Sequence, residues 1–358
     1  MTVPGASIDW KSGEWNGEPT ILSGDIGGTN ANLGIVAKTN TDFRILVEAS
    51  APSLGLTSVA PLIEYLLAAA QQRFPELSPT LGCISAAGPI ESNYCTMSNL
   101  PWDVDGNELT REFDFPIQAI NDFEAISFGV PLLDLEDPTQ VTVLPHVDGS
   151  RPSPVGDTRL IVGAGTGLGV SVMLGDGEAA RAVPSEGGHA SFAPFDAETQ
   201  KIVDFLRTDD WSLEIEDLLS GKGIASLFRY AVEEADAGID DTIVEIQNAD
   251  LLDQPRMISQ RASEHAVCRE AIRLFVKIYG KVCSDFATKI LPKAGLFLAG
   301  GIVGKNEPYF LEDDQFTRFF GQNRCEPVER ILQKVPVHII RNYNISLLGA
   351  ANAGWVQR

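Results

Sequence analysis

The 358 residues carry 27 basic and 49 acidic side chains, a net charge of −22 at pH 7, and 44% of the residues are hydrophobic. This length exceeds what one hydrophobic core usually supports, so two domains are expected. The acidic balance disfavours a nucleic-acid partner, and without an apolar run of about 18 residues no membrane-spanning helix is predicted.

The cysteines predict reduced thiols and a cytoplasmic location. Their number is odd and no two are spaced as C-x-x-C, so neither a disulfide framework nor a structural zinc site is expected. The first residues, MTVPGASIDW, lack the basic start and apolar core of a signal peptide. The five cysteines are Cys83, Cys95, Cys268, Cys283 and Cys325.

Alternating strand-like and helix-like patterns predict an α/β protein. In the first half, the first two strands are so close that a glycine-rich turn joins them as a hairpin. Apolar residues at helical spacing predict one helix before the third strand, and a short helix follows the fourth. The expected strands lie at 19–24, 32–36, 81–86 and 116–120, and the expected helices lie at 58–73 and after Asp122 as far as Gly129.

In the second half, a segment rich in Asp, Pro and Gly at 135–157 predicts a junction with a surface loop. A second strand–turn–strand unit follows at 159–174. Because each half then contains one glycine hairpin, two related α/β halves around a cleft are expected. The remaining expected elements are helices at 214–219, 223–235, 259–291 and 345–355, and strands at 295–298 and 335–340.

Two glycine-rich turns, Gly27-Gly28-Thr29-Asn30 and Gly163–Gly169, predict a phosphate site. Glycine lets the backbone approach a ligand closely, and consecutive N–H groups form an anion-binding concavity. A tight structural turn is the alternative for either hairpin alone. A dinucleotide fingerprint is disfavoured because a strand follows the second turn where a helix is needed, and the Lys of a Walker A loop is missing.

Two aspartates follow apolar strands, where open α/β sheets place their active sites. Asp25 suits a Mg²⁺–water shell beside phosphates, with a turn-capping role as the alternative. Asp122 suits a general base that accepts the proton of an attacking hydroxyl, and Asn121 can bond a sugar hydroxyl. The alternative for this pair is the N-cap of the following helix.

The turn Ser185–His189 predicts a sugar contact, because Glu186 and His189 flank a Gly-Gly bend and can converge on one polar ligand. A metal site at these two residues is the alternative, but further ligands at suitable spacing are missing. Later in the chain a strand runs into Gly300-Gly301, where bare backbone can lie against an adenine or ribose. A plain strand-ending turn is the alternative there.

In combination these segments resemble the bacterial glucokinase family of the hexokinase and actin-like ATPase superfamily. The resemblance extends in order from about Ile21 to Gly354. It rests on GDIGGTN at 24–30, INDF at 120–123, GAGTGLG at 163–169, SEGGH at 185–189 and AGGIV at 299–303.

The resemblance implies an enzyme that uses ATP and Mg²⁺ to phosphorylate D-glucose to glucose 6-phosphate, with Asp122 as the general base. It also implies a homodimer of chains with a two-domain actin-like ATPase (ribonuclease H-like) fold. A small α/β domain is expected at 1–131 with 342–358, and a large one at 132–341, with a cleft between them. The implied sugar contacts are Asn99, Asn121, Asp122, Glu186, His189 and Glu216, and the implied nucleotide contacts are Asp25, Gly27, Gly28, Thr29, Asn30, Gly165, Thr166, Gly167, Gly300 and Gly301.

One position departs from the family pattern. The family commonly has Arg or Lys two residues after the Thr-Asn of the first motif, and Asn32 stands there in this chain, so one positive charge near the nucleotide is lost. Three alternatives stay open: a kinase for another hexose or phosphoryl donor, a non-catalytic sugar sensor, and a dinucleotide-dependent oxidoreductase. The sensor predicts binding without turnover, and the oxidoreductase predicts binding of NAD.

Overall fold

The computed structural model describes residues 3–40, 42–97, 99–207, 212–235 and 240–358. The chain divides into two compact units, each built on a six-stranded sheet with its own buried apolar cluster. The first unit comprises the chain up to Asp134, Met173–Val183 and Asn342–Arg358, and the second comprises Leu135–Val172 and Pro184–Arg341.

The first part of the chain forms a six-stranded sheet and a small three-stranded sheet. The strands are β1 (Ser7–Trp10), β2 (Thr20–Ile26), β3 (Asn30–Lys38), β4 (Phe43–Pro52), β5 (Leu81–Ala86), β6 (Ile90–Glu91), β7 (Tyr94–Cys95), β8 (Val104–Asp105) and β9 (Ile117–Asn121). The larger sheet has the order β1-β4-β3-β2-β5-β9, and β6, β7 and β8 form the smaller one. The helices are α1 (Ala60–Arg73), α2 (Gly106–Phe113) and α3 (Asp122–Gly129).

Parallel pairing of β2, β5 and β9 aligns the carboxyl ends of three strands. Ile26 pairs with Ala86, and Ala86 pairs with Asn121, so these strands end at one edge of the sheet. β3 pairs antiparallel with β2 and begins at Asn30, so the turn that joins them lies at the same edge. Residues that directly follow β2 and β9 are therefore close neighbours.

The remaining strands form one mixed sheet, and the helices that precede the last helix of the chain include one of 25 residues, most of which are buried. The sheet order is β10-β15-β14-β11-β12-β13, and β11, β14 and β15 are parallel. The strands are β10 (Val141–Val143), β11 (Thr158–Ala164), β12 (Leu168–Leu174), β13 (Arg181–Ser185), β14 (Gly295–Ala299) and β15 (Val337–Ile340). The helices are α4 (Ala197–Leu206), α5 (Gly221–Glu234), α6 (Asp241–Asn248), α7 (Gln254–Arg261), α8 (Ala266–Ile290), α9 (Gly301–Lys305), α10 (Glu307–Leu311), α11 (Gln315–Gly321) and α12 (Glu326–Leu332).

The predicted α/β class is confirmed, and the predicted strands lie within two or three residues of their expected positions. The prediction of one long helix at 259–291 was wrong, because α7 and α8 are separate helices. His265 starts α8, where its ring accepts a hydrogen bond from Cys268 N. The expected helix at 214–219 is a single 3-10 turn, Ile215–Asp217. In the part of the chain that the structure describes, we find no helix both long and apolar enough to cross a membrane.

The last helix, α13 (Ile345–Val356), packs against both the first sheet and α3. In β2, Ser23 Oγ donates a hydrogen bond to the carbonyl oxygen of Leu347. A Cβ placed on Gly349 would lie 1.8 Å from the carbonyl oxygen of Ala125 in α3. The two helices therefore cross at a separation that only glycine allows, and α13 holds β2 and α3 together.

A buried histidine in β15 lacks the hydrogen bonds that such a group usually makes. Only 4% of His338 is exposed, and neither ring nitrogen has a hydrogen-bond partner among the described residues. The ring stacks on Phe297 of β14 at a centroid distance of 5.0 Å. Burial lowers the pKa of His338 from 6.5 to about 4, because a charged imidazolium is poorly solvated there.

His338 should therefore make the folded protein sensitive to mild acid. The unfolded chain takes up a proton at this ring near pH 6.5 and the folded chain only near pH 4, so lowering the pH from 7 to 5 favours unfolding by about 2 kcal/mol. In His338→Leu this contribution is absent, and the variant should lose less stability over that interval. Urea unfolding at pH 7 and pH 5 measures the difference. Equal losses in both proteins would show that the folded ring protonates normally.

Candidate active site

The predicted site residues fall into two groups, one in each unit. In the first unit, Asp25 lies near the end of β2 and is partly buried. Burial, followed by the negative charge of Asp122, raises the pKa of Asp25 to about 6, although hydrogen bonds from Ser85 and Ser346 oppose the shift. The Ser85 hydroxyl lies 3.4 Å from Asp25 Oδ1. The end of β2 and the start of α3 thus hold two carboxyl groups within electrostatic reach of each other.

Asn121 and Asp122 begin α3, as the alternative of a helix cap predicted. Asn121 Oδ1 accepts a hydrogen bond of 2.9 Å from Phe123 N, and its Nδ2 donates to the carbonyl oxygen of Gly88 at 3.3 Å. Asp122 occupies the first turn, where its Oδ1 also lies 3.0 Å from Phe123 N. The positive end of the helix dipole favours an ionised carboxylate at this position. Asn121 therefore caps the helix that carries Asp122.

The first glycine turn is fixed by a serine that the sequence did not reveal. Gly27 N donates to the carbonyl oxygen of Asn30 at 3.0 Å and closes the turn. Ser53 is fully buried, and its hydroxyl donates to the carbonyl oxygen of Gly27 at 2.6 Å. The amide of Ser53 donates to the carbonyl oxygen of Thr29 at 2.9 Å. This support leaves Thr29 and Asn30 exposed at the sheet edge.

Two further predicted positions lie near this turn. Asn99 is exposed, and its Cβ lies 3.3 Å from the position that a Cβ on Gly28 would occupy. Asn32, the departure from the family pattern, lies in β3, where its Oδ1 accepts a hydrogen bond of 2.7 Å from the hydroxyl of Ser50. A neutral amide held by a neighbouring strand thus stands where the family commonly has a cation.

In the second unit, the second glycine turn binds the carboxylate of Glu216. Gly165 N donates to the carbonyl oxygen of Gly167 at 2.8 Å, and Thr166 is exposed at the tip. Glu216 Oε2 accepts a hydrogen bond of 2.8 Å from Leu168 N. The carboxylate approaches so closely that a Cβ on Gly167 would lie 2.3 Å from Oε2. Two predicted sites, the turn and Glu216, are therefore adjacent.

The Ser185–His189 turn packs onto the same hairpin. A Cβ on Gly188 would lie 2.4 Å from the carbonyl oxygen of Leu168, so only glycine fits there. Glu186 and His189 are both exposed, and His189 Nδ1 lies 2.7 Å from Oε2 of Glu214. The hydrogen bond to Glu214 raises the pKa of His189, and the charges of nearby carboxylates add to this shift. Glu214 was not predicted as a site residue.

Gly300, which directly follows β14, approaches β11 of the second glycine hairpin. Gly300 has a φ of +93°, and a Cβ there would lie 2.5 Å from the carbonyl oxygen of Ala164. Parallel pairing of β11 with β14 causes this approach, since Gly163 is opposite Ala299. Gly301 is exposed and starts α9. The second unit thus brings three glycine-containing segments to one edge of its sheet.

The residues present fit a magnesium ion held mainly through water and phosphate. No group of three or more His, Cys, Asp or Glu side chains in the described ranges forms a metal cluster. Mg²⁺ usually keeps several waters and takes one or two carboxylates, with substrate phosphates completing its shell. Asp25 meets that need, because it is a partly buried carboxylate near the end of β2, directly before the first glycine turn.

Comparison with known proteins identifies the family. The model of the glucokinase family matches residues 22–355. The chain belongs to the glucokinase family. It is 31% identical over 349 residues to the glucokinase of Nostoc punctiforme, an alignment that covers 92% of this chain and 97% of the relative. The resemblance inferred from the motifs is thereby confirmed.

Solved glucokinase structures confirm the fold. A glucokinase from an Antarctic psychrotroph matches with a TM-score of 0.79 at 27% identity, covering 94% of this chain and 98% of that chain. A ROK family glucokinase from Streptomyces griseus, solved in complex with glucose and AMPPNP, matches with a TM-score of 0.61 at 19% identity over 94% and 99% of the two chains. The predicted α/β fold of the actin-like ATPase type is therefore confirmed.

The contact between Glu216 and the second turn can be tested with two glycines of that turn. Gly167→Ala should displace the Glu216 carboxylate and break its bond to Leu168 N, whereas a Cβ on Gly165 meets no atom within 4 Å among the described residues. Amide hydrogen exchange at Leu168 should accelerate about tenfold or more in Gly167→Ala. Gly165→Ala is the matched control, and equal exchange in both variants would contradict the contact.

Proposed function

We propose that this glucokinase-family protein transfers the γ-phosphoryl group of ATP to the 6-hydroxyl of D-glucose, giving ADP and glucose 6-phosphate. The observation that carries the proposal is Asp122, which directly follows β9 in a glucokinase-family chain and lies close enough to Asp25 to raise its pKa. The glucose and AMPPNP bound by the Streptomyces griseus relative support the choice of substrates.

Asp122 is proposed as the general base. Its carboxylate accepts the proton of the 6-hydroxyl while the hydroxyl oxygen forms a bond to the γ-phosphorus. The bond from that phosphorus to the β–γ bridging oxygen breaks, and ADP leaves with the electron pair. The position at the start of α3 supports this role, because the helix N-terminus stabilises the ionised form of the base.

Five residues are proposed to orient the sugar. Hydroxyl groups are bound well by carboxylates that accept two hydrogen bonds and by amides that both donate and accept. The hydrogen bond from Leu168 N to Glu216, and the packing of the Ser185–His189 turn on Leu168, support a rigid arrangement of the second-unit members. The proposed sugar contacts, besides Asp122, are Asn99, Asn121, Glu186, His189 and Glu216.

The glycine segments are proposed to hold the nucleotide, with Asp25 as a water-mediated ligand of Mg²⁺. When bound, Mg²⁺ neutralises charge on the β- and γ-phosphates. Backbone N–H groups of both turns add positive potential in a chain of net charge −22. The proposed nucleotide contacts are Gly27, Gly28, Thr29, Asn30, Gly165, Thr166, Gly167, Gly300 and Gly301.

The proposal extends to location and assembly. Five free cysteines, four of them buried, support a reducing compartment such as the cytoplasm. A homodimer is proposed from the family resemblance, and sedimentation of the purified protein tests it.

The proposed reaction has a direct test. The protein is incubated with ATP, Mg²⁺ and D-glucose, and glucose 6-phosphate is measured; parallel reactions use mannose, fructose, ADP or polyphosphate. Product is expected with glucose and ATP, and EDTA should abolish it because the phosphates then lose their metal. Turnover confined to another sugar or donor would overturn the assignment of substrates, and sugar binding without any turnover would indicate a sensor.

Asp122→Asn tests the general base within that assay. The amide cannot accept the hydroxyl proton, so kcat should fall by a factor on the order of 10² or more while the Kd for glucose stays nearly constant. Glu124→Gln is the matched control, because it removes a carboxylate from the same helical turn. Its kcat should stay within about twofold of the wild-type value. Near-normal turnover of Asp122→Asn would refute the role.

A further inference from the structure

Glu214 is an acidic residue outside the predicted set that contacts a proposed sugar ligand. Its Oε2 lies 2.7 Å from Nδ1 of His189. The backbone fixes this contact, because the residues after His189 pair with the residues before the 3-10 turn. Phe192 N donates to the carbonyl oxygen of Leu213 at 2.7 Å, and Ile215 N donates to the carbonyl oxygen of Ala190 at 2.9 Å. Backbone hydrogen bonds therefore place His189 and Glu214 on adjacent segments.

The chemistry of the pair determines which ring nitrogen of His189 remains for a ligand. A carboxylate only accepts hydrogen bonds, so Nδ1 must carry the proton that it donates to Glu214. The other nitrogen, Nε2, is then an acceptor in the neutral ring and a donor in the imidazolium. A partner on one ring nitrogen fixes both the tautomer and the orientation of the ring.

Three carboxylates act electrostatically on the His189 ring. Glu214 makes the hydrogen bond, Glu216 follows in the 3-10 turn, and Glu186 belongs to the same turn as the histidine. All three raise the pKa of His189, with the hydrogen bond to Glu214 as the largest cause, while partial burial lowers it. Glu186 and Glu216 are proposed to bind sugar hydroxyls themselves, so Glu214 is the member of the set whose contact is with the ring.

We propose that Glu214 is a positioning residue for sugar recognition, which holds the His189 ring through Nδ1 and directs Nε2 to a sugar hydroxyl. The identity of the ligand rests on the proposed function, whereas the contact itself does not. A purely structural role in the 3-10 turn is the competing explanation. Asp217 separates the two, because its Oδ2 accepts a hydrogen bond of 2.9 Å from Glu214 N and so supports the turn.

The contact can be tested without substrate by titrating the histidines by NMR. The chain has four His residues, and the signal missing from His189→Asn identifies His189. In Glu214→Gln the pKa of His189 should fall, because the hydrogen bond to the Glu214 carboxylate is the main cause that raises it. Asp217→Asn removes one charge from the same turn and should change the pKa less. An unchanged pKa in Glu214→Gln would overturn the proposal.

Glucose binding then tests the positioning role. In Glu214→Gln the calorimetric Kd and the KM for glucose should rise about three- to tenfold with kcat nearly unchanged, since one ordered hydrogen bond to the sugar is weakened. The pH midpoint of the KM profile should move to lower pH. Asp217→Asn should leave both constants near the wild-type values.

A double variant completes the test. If Glu214 acts through His189, adding Glu214→Gln to His189→Asn should cause no further loss of glucose affinity. Additive losses, or an unchanged Kd in Glu214→Gln alone, would overturn the role of Glu214. A wild-type protein that binds no glucose would instead overturn the proposed function, and the histidine titration would still report whether the contact exists.

Discussion

The burial of the Asp25 carboxyl group beside the negative charge of Asp122 is the constraint on which the first unit depends. Parallel strands with aligned ends place both carboxylates at one sheet edge. Partial burial of Asp25 removes water that would otherwise stabilise its charge and screen it from Asp122. Burial, and after it the charge of Asp122, raises the pKa of Asp25 to about 6. The start of α3 offsets part of the unfavourable charge interaction at Asp122, and a bound cation would offset more. A fold that keeps such a pair retains a local instability at the position where catalysis is proposed.

In the second unit, three glycines allow neighbouring chain segments to approach the backbone closely. At Gly167, Gly188 and Gly300 a Cβ would lie within 2.5 Å of another atom, so a neighbouring segment approaches the backbone closely at each of these glycines. Two of these contacts are to backbone carbonyls and one is to the carboxylate of Glu216. Because backbone positions vary less than side-chain rotamers, polar groups on these segments are held with little freedom. Such preorganisation lowers the entropy that a small polar ligand loses on binding.

Much of this arrangement could be predicted from the sequence, since apolar runs that end in Gly, Asp or Asn indicate both the strand and the polar edge where it stops. The start of α3 at Asp122 followed from its capping pattern. Ser53 and Glu214 could not be predicted, because each contacts a partner about 25 residues away through pairing that no local pattern records. The break before His265 was missed for a related reason: apolar residues continue at helical spacing across it, and only the capping bond of the ring starts a new helix.

The position of α13 has a consequence for how the molecule comes into being. The first unit is discontinuous along the chain, and the helix that fastens β2 to α3 is separated from them by the whole second unit. During synthesis, β2 and α3, which carry Asp25 and Asp122, emerge long before the residues of α13. All residues of the second unit precede α13 in the chain and are synthesised before it. The first unit is therefore expected to complete its fold last, when α13 packs against β2 and α3, and activity is expected only after that step.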